Sequence, residues 1–220
     1  KLVASSIAEK SITVVKDKFS QIPLIVEKKD SLAHIILSLD DGARNYLKRF
    51  IDDINNTHGH VKHIFINNSL TDLGRRDIIN QIEGVDQVIV SLLVRIRMDK
   101  GISTIDKTHD QLIKDLYKKG IPSIVFSFGS PYLPSYNYID TYICTYGYGS
   151  ITMKAAADAL FGRNNINGKL PVKLSNKYNR NDGIIKNARK DIWGNSLDIN
   201  LENAWDIIDK GIENKIFPGA

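Results

Sequence analysis

Ala155-Ala156-Ala157-Asp158-Ala159-Leu160-Phe161-Gly162, running on to Ile166-Asn167-Gly168-Lys169-Leu170-Pro171-Val172, is the stretch that decides the fold class. Alanine is the best helix former, and four of the first five residues are alanine. Gly162 then stands where a helix stops, because glycine tolerates the left-handed conformation at the position after the C-cap. Gly168 and Pro171 punctuate a turn into a short extended segment. The stretch reads as helix, stop, turn, strand.

Working towards the N-terminus, the same alternation recurs. Ile12–Val15, Ala33–Leu39, Val61–Ile66, Gln87–Leu93, Ile121–Phe126 and Tyr142–Tyr146 are short apolar or β-branched runs and read as strands. Between them lie helix patterns at 43–54, with Tyr46, Leu47, Phe50, Ile51 and Ile54 on one stripe, and from a Ser69 or Thr71 cap to about Ile82. Two more follow, at 108–119, with Leu112, Ile113, Leu116 and Tyr117 facing inward, and at 150–161. Strands that are nearly all apolar, interleaved with amphipathic helices, need cover on both faces. The expected fold is therefore α/β: a doubly wound, mostly parallel sheet of about six strands with helices on both faces. No internal repeat is visible. Composition turns polar after Lys177, so residues 1–178 are read as the α/β domain and 179–196 as a linker or surface loop, with Trp193 as an anchor. Residues 197–220 carry one more amphipathic helix through Leu201, Ala204, Trp205, Ile207, Ile208 and Ile212.

The 220 residues are 42% hydrophobic and 25% charged, an ordinary globular composition. The longest apolar runs fall far short of the ~20 residues that span a bilayer, so no membrane span is expected. Lys1 does not begin a basic-then-apolar leader. The net charge of +5 is spread among aspartates and glutamates without a long basic block, which argues for a solvated surface and against a nucleic-acid partner. The single cysteine, Cys144, has no partner for a disulfide or a zinc site and falls in a strand, where it acts as a small hydrophobe.

No constellation in the sequence carries chemistry by itself. His58 and His60 fall in a turn and His63 begins a strand; with no carboxylate or cysteine at a confirming spacing, exposed loop histidines are the reading for the turn and no metal site is expected. Gly147-Tyr148-Gly149 lies between a strand and a helix but lacks the third glycine of a dinucleotide fingerprint, since position 152 is Thr. Ser127, Ser130 and Ser150 stand outside any Gly-x-Ser-x-Gly elbow. Asp40-Asp41 is the best local carboxylate pair; adjacent side chains diverge, and aspartates before Gly42 are turn formers. No catalytic residue and no cofactor are assigned.

Several segments share an order with one family. Ala8-Glu9-Lys10-Ser11-Ile12-Thr13-Val14-Val15-Lys16-Asp17 with Ile22-Pro23-Leu24 comes first, then Val94-Arg95-Ile96-Arg97 followed by Lys100-Gly101. Ser127-Phe128-Gly129-Ser130-Pro131-Tyr132-Leu133 and the stretch quoted at the start complete the series. Together they resemble the C-terminal α/β domain of family 3 glycoside hydrolases, chiefly the β-N-acetylglucosaminidase branch, over roughly residues 5 to 178. The resemblance implies a non-catalytic domain that supports an N-terminal catalytic barrel of the same polypeptide. In that branch the nucleophile and the acid/base unit belong to the barrel, which needs about 200–250 residues and has no room before Ser11. The other branch, the β-glucosidases, lends a Glu from this domain, and no matching pattern occurs here. The implied parent removes N-acetylglucosamine from a carbohydrate such as a peptidoglycan fragment; the sequence leaves its compartment open, and a periplasmic or cell-envelope setting rests on the resemblance alone. Phe217-Pro218-Gly219-Ala220 after the last helix resembles the start of a serine β-lactamase-like domain; a C-terminal helix docked on the α/β domain is the other reading. Ligands approach doubly wound sheets at the carboxyl ends of the strands. A barrel-facing or substrate-side surface is accordingly placed at Arg95, Arg97, Ser130, Tyr132 and Tyr148, with ordinary loop structure as the alternative. A stand-alone doubly wound module binding a nucleotide or sugar near Gly147–Gly149 is the competing functional class.

Overall fold

Alternate residues of the central strands, nearly all buried, face opposite sides of the sheet, and each set meets its own layer of helices. The structure, a computed structural model, describes residues 2–27, 29–96 and 104–189. The chain divides into units 1–188 and 189–220, and all described elements belong to the first. Arg97, Trp193 and the expected helix at 197–220 lie outside the described residues.

In chain order the elements are α1 (Leu2–Ser11), β1 (Thr13–Asp17), β2 (Leu32–Leu37), α2 (Ala43–Tyr46), α3 (Lys48–Thr57), β3 (Val61–Ile66) and α4 (Asp72–Gln81). They continue with β4 (Gln87–Val94), α5 (Lys107–Lys118), β5 (Ser123–Gly129), β6 (Thr141–Cys144) and α6 (Ser150–Leu160). The six strands form one sheet in the order β1-β6-β5-β4-β2-β3, parallel except for β1, which runs antiparallel to β6. The α/β sandwich read from the sequence is thus the observed architecture. Ile36, Ile89, Leu93, Ile124, Phe126 and Phe128 pack with residues of α1, α3 and α6 on one face. Ile35, Leu37, Val88, Val90, Leu92 and Val125 pack with α4 and α5 on the other. Burying a side chain of this size stabilises the fold by roughly 1.5–3 kcal/mol, so these two layers carry most of the folding energy.

Local chemistry fixes the helix ends. The Thr71 hydroxyl accepts from Gly74 N at 3.1 Å and starts α4. The Asp106 carboxylate accepts from Thr108 N at 2.8 Å and starts α5. Gly162 takes φ 68° after α6, the left-handed stop expected of it. The single helix expected over 43–54 is instead two, α2 and α3, meeting at Leu47 (φ −90°, ψ 1°). Its first turn is anchored on the preceding loop, with Gly42 N donating to Asp40 Oδ1 at 2.9 Å and Ala43 N to the Asp40 carbonyl at 3.0 Å. That anchorage sets the direction of α2 independently of α3.

Beyond α6 the chain folds back along β1 as a strap. The segment 166–172, expected to be extended, forms no strand; it pairs only at single residues, Ile166 with Lys186. The reason is crowding: a Cβ at Gly168 would stand 2.1 Å from the Ile12 carbonyl oxygen, and one at Gly183 would stand 2.3 Å from the Gly168 carbonyl oxygen. Three backbones are stacked there without side chains between them. Ile184 N donates to the Val14 carbonyl at 2.8 Å, and Leu170 and Asp182 are joined by a backbone bond of the same length. Lys186 Nζ reaches Asp17 Oδ2 at 2.5 Å. The Asp17 carboxylate is fully buried and also accepts from Gln21 N at 2.7 Å and Thr141 Oγ1 at 3.0 Å.

His58 differs from its reading as an exposed loop residue, whereas His63 lies in the strand expected of it. His58 is buried and its Nε2 donates to the Asp30 carbonyl at 2.7 Å. His63 lies beside the buried His34 in the β2–β3 register, Nδ1 to Nδ1 at 3.1 Å. His34 Nε2 is 2.7 Å from Ser91 Oγ, and His63 Nε2 is 2.9 Å from Asn55 Oδ1. One proton order satisfies the row: Ser91 donates to His34, His34 to His63, and His63 to Asn55, with both rings neutral. Burial, helped by the neighbouring His63, pushes the His34 pKa down to about 3. Below the ordinary value near 6.5 the unfolded chain binds a proton here that the folded chain refuses until pH is about 3. Stability from His34 is therefore complete above pH 6.5 and is lost on acidification by about 1.4 kcal/mol per pH unit. Urea unfolding at pH 7 and pH 5 should show a shallower acid loss in His34→Gln than in the parent; equal slopes would exclude the assignment.

Candidate functional site

The strand order places a crevice where the sheet changes direction. From β2 the chain steps outward to β3, then returns across β2 to β4 and continues the other way through β5 and β6. The loops after β2 and β4 diverge at that switch point, the place where ligands enter doubly wound sheets. A cleft of about 210 Å³ lies there, lined among the described residues by Ser38, Asp40, Asp41, Arg95, Asp106 and His109 together with apolar strand ends.

Arg95, at the end of β4, organises the rim. Its Nη1 donates to Asp40 Oδ2 at 2.8 Å and to Tyr46 Oη at 2.9 Å. The guanidinium stands 4.7 Å from the Tyr46 ring centre and 5.6 Å from that of Tyr148, and the two rings meet edge to face at 5.5 Å. The hydrogen bonds to Tyr148 and then Asp40 hold the arginine more firmly charged. A cation held between two rings and a carboxylate is a pre-oriented plate, suited to pairing with a planar anion or packing on a protein surface.

The loop after β5 is fixed from beneath. Gly129 has φ 95°, and a Cβ there would stand 2.3 Å from the Val94 carbonyl oxygen, so only glycine fits. Ser130 N donates to that same carbonyl at 3.1 Å, and Ser127 Oγ donates to the Ser130 carbonyl. The Pro131 carbonyl accepts from Tyr142 Oη at 2.7 Å and Tyr136 Oη at 3.1 Å. Burial raises both phenols, Tyr136 to about 12, so both stay protonated donors.

Of the residues placed at this surface from sequence, Arg95 and Tyr148 come together. Tyr132 is exposed on the neighbouring loop, its carbonyl accepting from Thr104 Oγ1 at 3.0 Å. Ser130 is fully buried, so its side chain supports the loop from inside. Asp40 and Tyr46 complete the cluster and were not singled out as its members. Asp40 reads as a turn former, which it also is, and its second bond spans 55 residues.

The chemistry available in the cleft is limited by what its groups already do. Asp41 Oδ1 accepts from Asn67 Nδ2 at 3.1 Å. Burial opposes ionisation of Asp106, but hydrogen bonds from Thr108 and Ser69 outweigh it and hold the carboxyl below its ordinary value. A general acid for glycoside hydrolysis needs the opposite shift. His109 donates Nε2–H to the Asn68 carbonyl at 2.9 Å and is kept neutral by burial. The Cys144 thiol is pushed up to about 12 by burial and is no nucleophile. In the Gly147-Tyr148-Gly149 turn the strained residue is Tyr146 at φ 58°, and Gly149 has an ordinary φ of −78°. The Tyr146 hydroxyl donates to Thr13 Oγ1 at 3.1 Å and anchors the turn. No group of three or more histidine, cysteine or acidic side chains able to hold a metal occurs among the described residues. No helix among them is long and apolar enough to cross a membrane.

No protein-family model matches the sequence, and no curated protein matches it. Solved structures do. A fungal multi-domain GH3 β-N-acetylglucosaminidase, described with a GCN5-related glucosamine N-acetyltransferase region, superposes with a TM-score of 0.62 at 19% identity, over 97% of this chain and 23% of that one. A β-glucosidase from Listeria innocua gives a TM-score of 0.64 at 16% identity over 77% of this chain and 26% of that one. A glycoside hydrolase family 3 β-N-acetylglucosaminidase from Paenibacillus sp. str. FPU-7 gives 0.55 at 20% identity, over 78% and 32%. The chain thus spans no more than about a third of these proteins' lengths. Its α/β sandwich is the fold of one region of multidomain family 3 glycosidases.

Proposed function

We propose that this chain is the non-catalytic α/β domain of a β-N-acetylglucosaminidase, buttressing a catalytic barrel that precedes it in the same polypeptide. The observation that carries the reading is the fold shared with one region of family 3 glycosidases, reached independently of the ordered sequence segments. The engagement of Asp40, Asp41 and Asp106 as hydrogen-bond acceptors within the fold agrees with it, because retaining hydrolysis needs two carboxyl groups facing one glycosidic bond. On this reading Arg95, Tyr132 and Tyr148 face the barrel, joined by Arg97, while Ser130 stiffens the loop between them. Arginine and tyrosine are the usual anchors of such contacts. The parent acts on terminal N-acetylglucosaminides of peptidoglycan fragments or chitooligosaccharides, and residues 197–220 lead into a β-lactamase-like domain.

The purified chain should release no nitrophenol from 4-nitrophenyl N-acetyl-β-glucosaminide above the blank. It should co-elute in size-exclusion chromatography with the separately produced barrel of its polypeptide, and Arg95→Ala should weaken that complex by about tenfold, the loss expected of one interface anchor. Turnover by the chain alone would overturn the non-catalytic role. Tight calorimetric binding of a nucleotide or free amino sugar to the chain alone would favour the stand-alone module.

A further inference from the structure

The cleft at the switch point holds side chains that the buttress reading leaves without a role. Three consecutive residues of the loop after β3 gather them. Asn67 Nδ2 donates to Asp41 Oδ1 at 3.1 Å, the Asn68 carbonyl accepts from His109 Nε2 at 2.9 Å, and Ser69 Oγ donates to Asp106 Oδ2 at 3.1 Å. Neighbouring residues stand about 3.8 Å apart along a chain, so the loop sets His109 between the two carboxylates on one short rim. All three line the same cleft of about 210 Å³. His109 is only 1% exposed and spends its Nε2–H on Asn68, so Nδ1 is left as an acceptor. Nδ1 takes no hydrogen bond among the described residues, where Arg95 Nε and Asp140 Oδ1 are the unpaired side-chain atoms sealed from solvent. Nδ1 is therefore unpaired and unsealed, and it opens into the cleft that His109 lines. Asp40, Asp41 and Asp106 line that cleft with one cation, Arg95, which is engaged with Asp40 at 2.8 Å. The remaining wall includes Leu37, Leu93, Val94 and Ile105, all buried.

We propose that this cleft binds a small primary amine, with the ammonium on His109 Nδ1 between the carboxylates of Asp41 and Asp106 and the alkyl stem along Leu93 and Ile105. An unpaired buried acceptor calls for a donor, and the excess of carboxylates selects a charged one. Phosphorylated and carboxylate ligands meet the same excess as repulsion. A guanidinium presents a planar fork that needs two adjacent acceptors, whereas imidazole offers one lone pair, which a point-like ammonium satisfies. A metal ion is the poorer cation, because no group of three or more histidine, cysteine or acidic side chains able to hold one occurs among the described residues. Drug-sized ligands occupy pockets of about 300–1,000 Å³, so this cleft takes something smaller. The apolar wall suits methylene groups and not the hydroxyls of an amino sugar. The inference goes beyond the buttress reading and does not depend on a barrel.

The test is an NMR titration of the full chain near neutral pH with n-pentylamine, n-pentanol and glucosamine. Pentylamine should bind at least tenfold more tightly than glucosamine and than pentanol, which has the same stem without the charge. The His109 Nδ1 resonance, read directly from long-range nitrogen–proton spectra, should move as its lone pair accepts. Asp41→Asn and Asp106→Asn should each weaken the amine at least fivefold; asparagine still caps α5, so the second change spares the helix. Asp77→Asn, exposed on α4, should change it less than twofold. Pentanol binding as tightly as the amine overturns the proposal, as does an unmoved Nδ1 resonance or an equal loss in Asp77→Asn. Should either cleft variant unfold, the Nδ1 resonance of the parent decides. Glucosamine binding more tightly than pentylamine also overturns it, and that outcome alone bears on the stand-alone module. Hydrolysis and the barrel complex are read by other measurements, so the two readings fail separately.

Discussion

Gly168→Ala is expected to cost about 3 kcal/mol or more and to lower the melting temperature by roughly 6–12 °C. The added methyl would stand 2.1 Å from the Ile12 carbonyl oxygen and 2.7 Å from its carbon. Both are backbone atoms, and Ile12 is itself buried at the start of β1, so there is no flexible side chain to swing aside. Gly183→Ala should behave alike, since its methyl would meet the Gly168 carbonyl oxygen at 2.3 Å. Gly59→Ala, which meets nothing within 4 Å, serves as the control and should stay within about 1 kcal/mol of the parent. A melting temperature for Gly168→Ala within 2 °C of the parent would show that the three backbones are not stacked.

Asp17→Ala and Lys186→Ala should each destabilise by about 3 kcal/mol, because each leaves a buried partner uncompensated. The double variant should lose clearly less than the sum of the two, since the pair is then absent as a whole. Asp17→Ala also strips acceptors from Gln21 N and Thr141 Oγ1, so it should be the worse of the single changes. Urea titrations of the four proteins give the coupling energy, and an additive cycle would remove the ion pair from the account. The same pair predicts that a chain cut after Tyr178, where polarity first rises, is less stable than one cut after Ala188. The shorter piece lacks Ile184, which bonds Val14, and Lys186, which neutralises Asp17.

The contrast shows what kind of information a linear reading holds. Strand and helix positions were legible because burial on both faces forces long apolar runs: Gln87–Val94 is buried at every position after the first, and α6 lies where its alanine content put it. Thr71, Asp106 and Gly162 act within one turn, so their capping chemistry is also local. The helix α1 was missed because it buries only Ala8 and leaves Leu2, Val3 and Ile7 exposed, a pattern without a clear inward stripe. The strap was missed because polar composition signals contact with water, and Lys186 spends its charge on a residue 169 positions away. In the candidate site, Arg95 and Tyr148 were reachable by topology, since both follow strands at their carboxyl ends. Asp40 and Tyr46 join them through pairings that no local pattern records. The neutral histidine row is of the same kind: His34 and His63 are isolated in sequence and become neighbours only through the parallel register of β2 and β3.

The two margins of the sheet are not equivalent. At one, Val14 of β1 is already engaged by Ile184; at the other, β3 has a strand neighbour on one side only among the described residues. Among the described residues, the margin without such a bridge, Val61–Ile66, is therefore the place for a further strand to pair. Two molecules joined there would turn outward only margins already bridged at Val14, which disfavours further growth into a fibre.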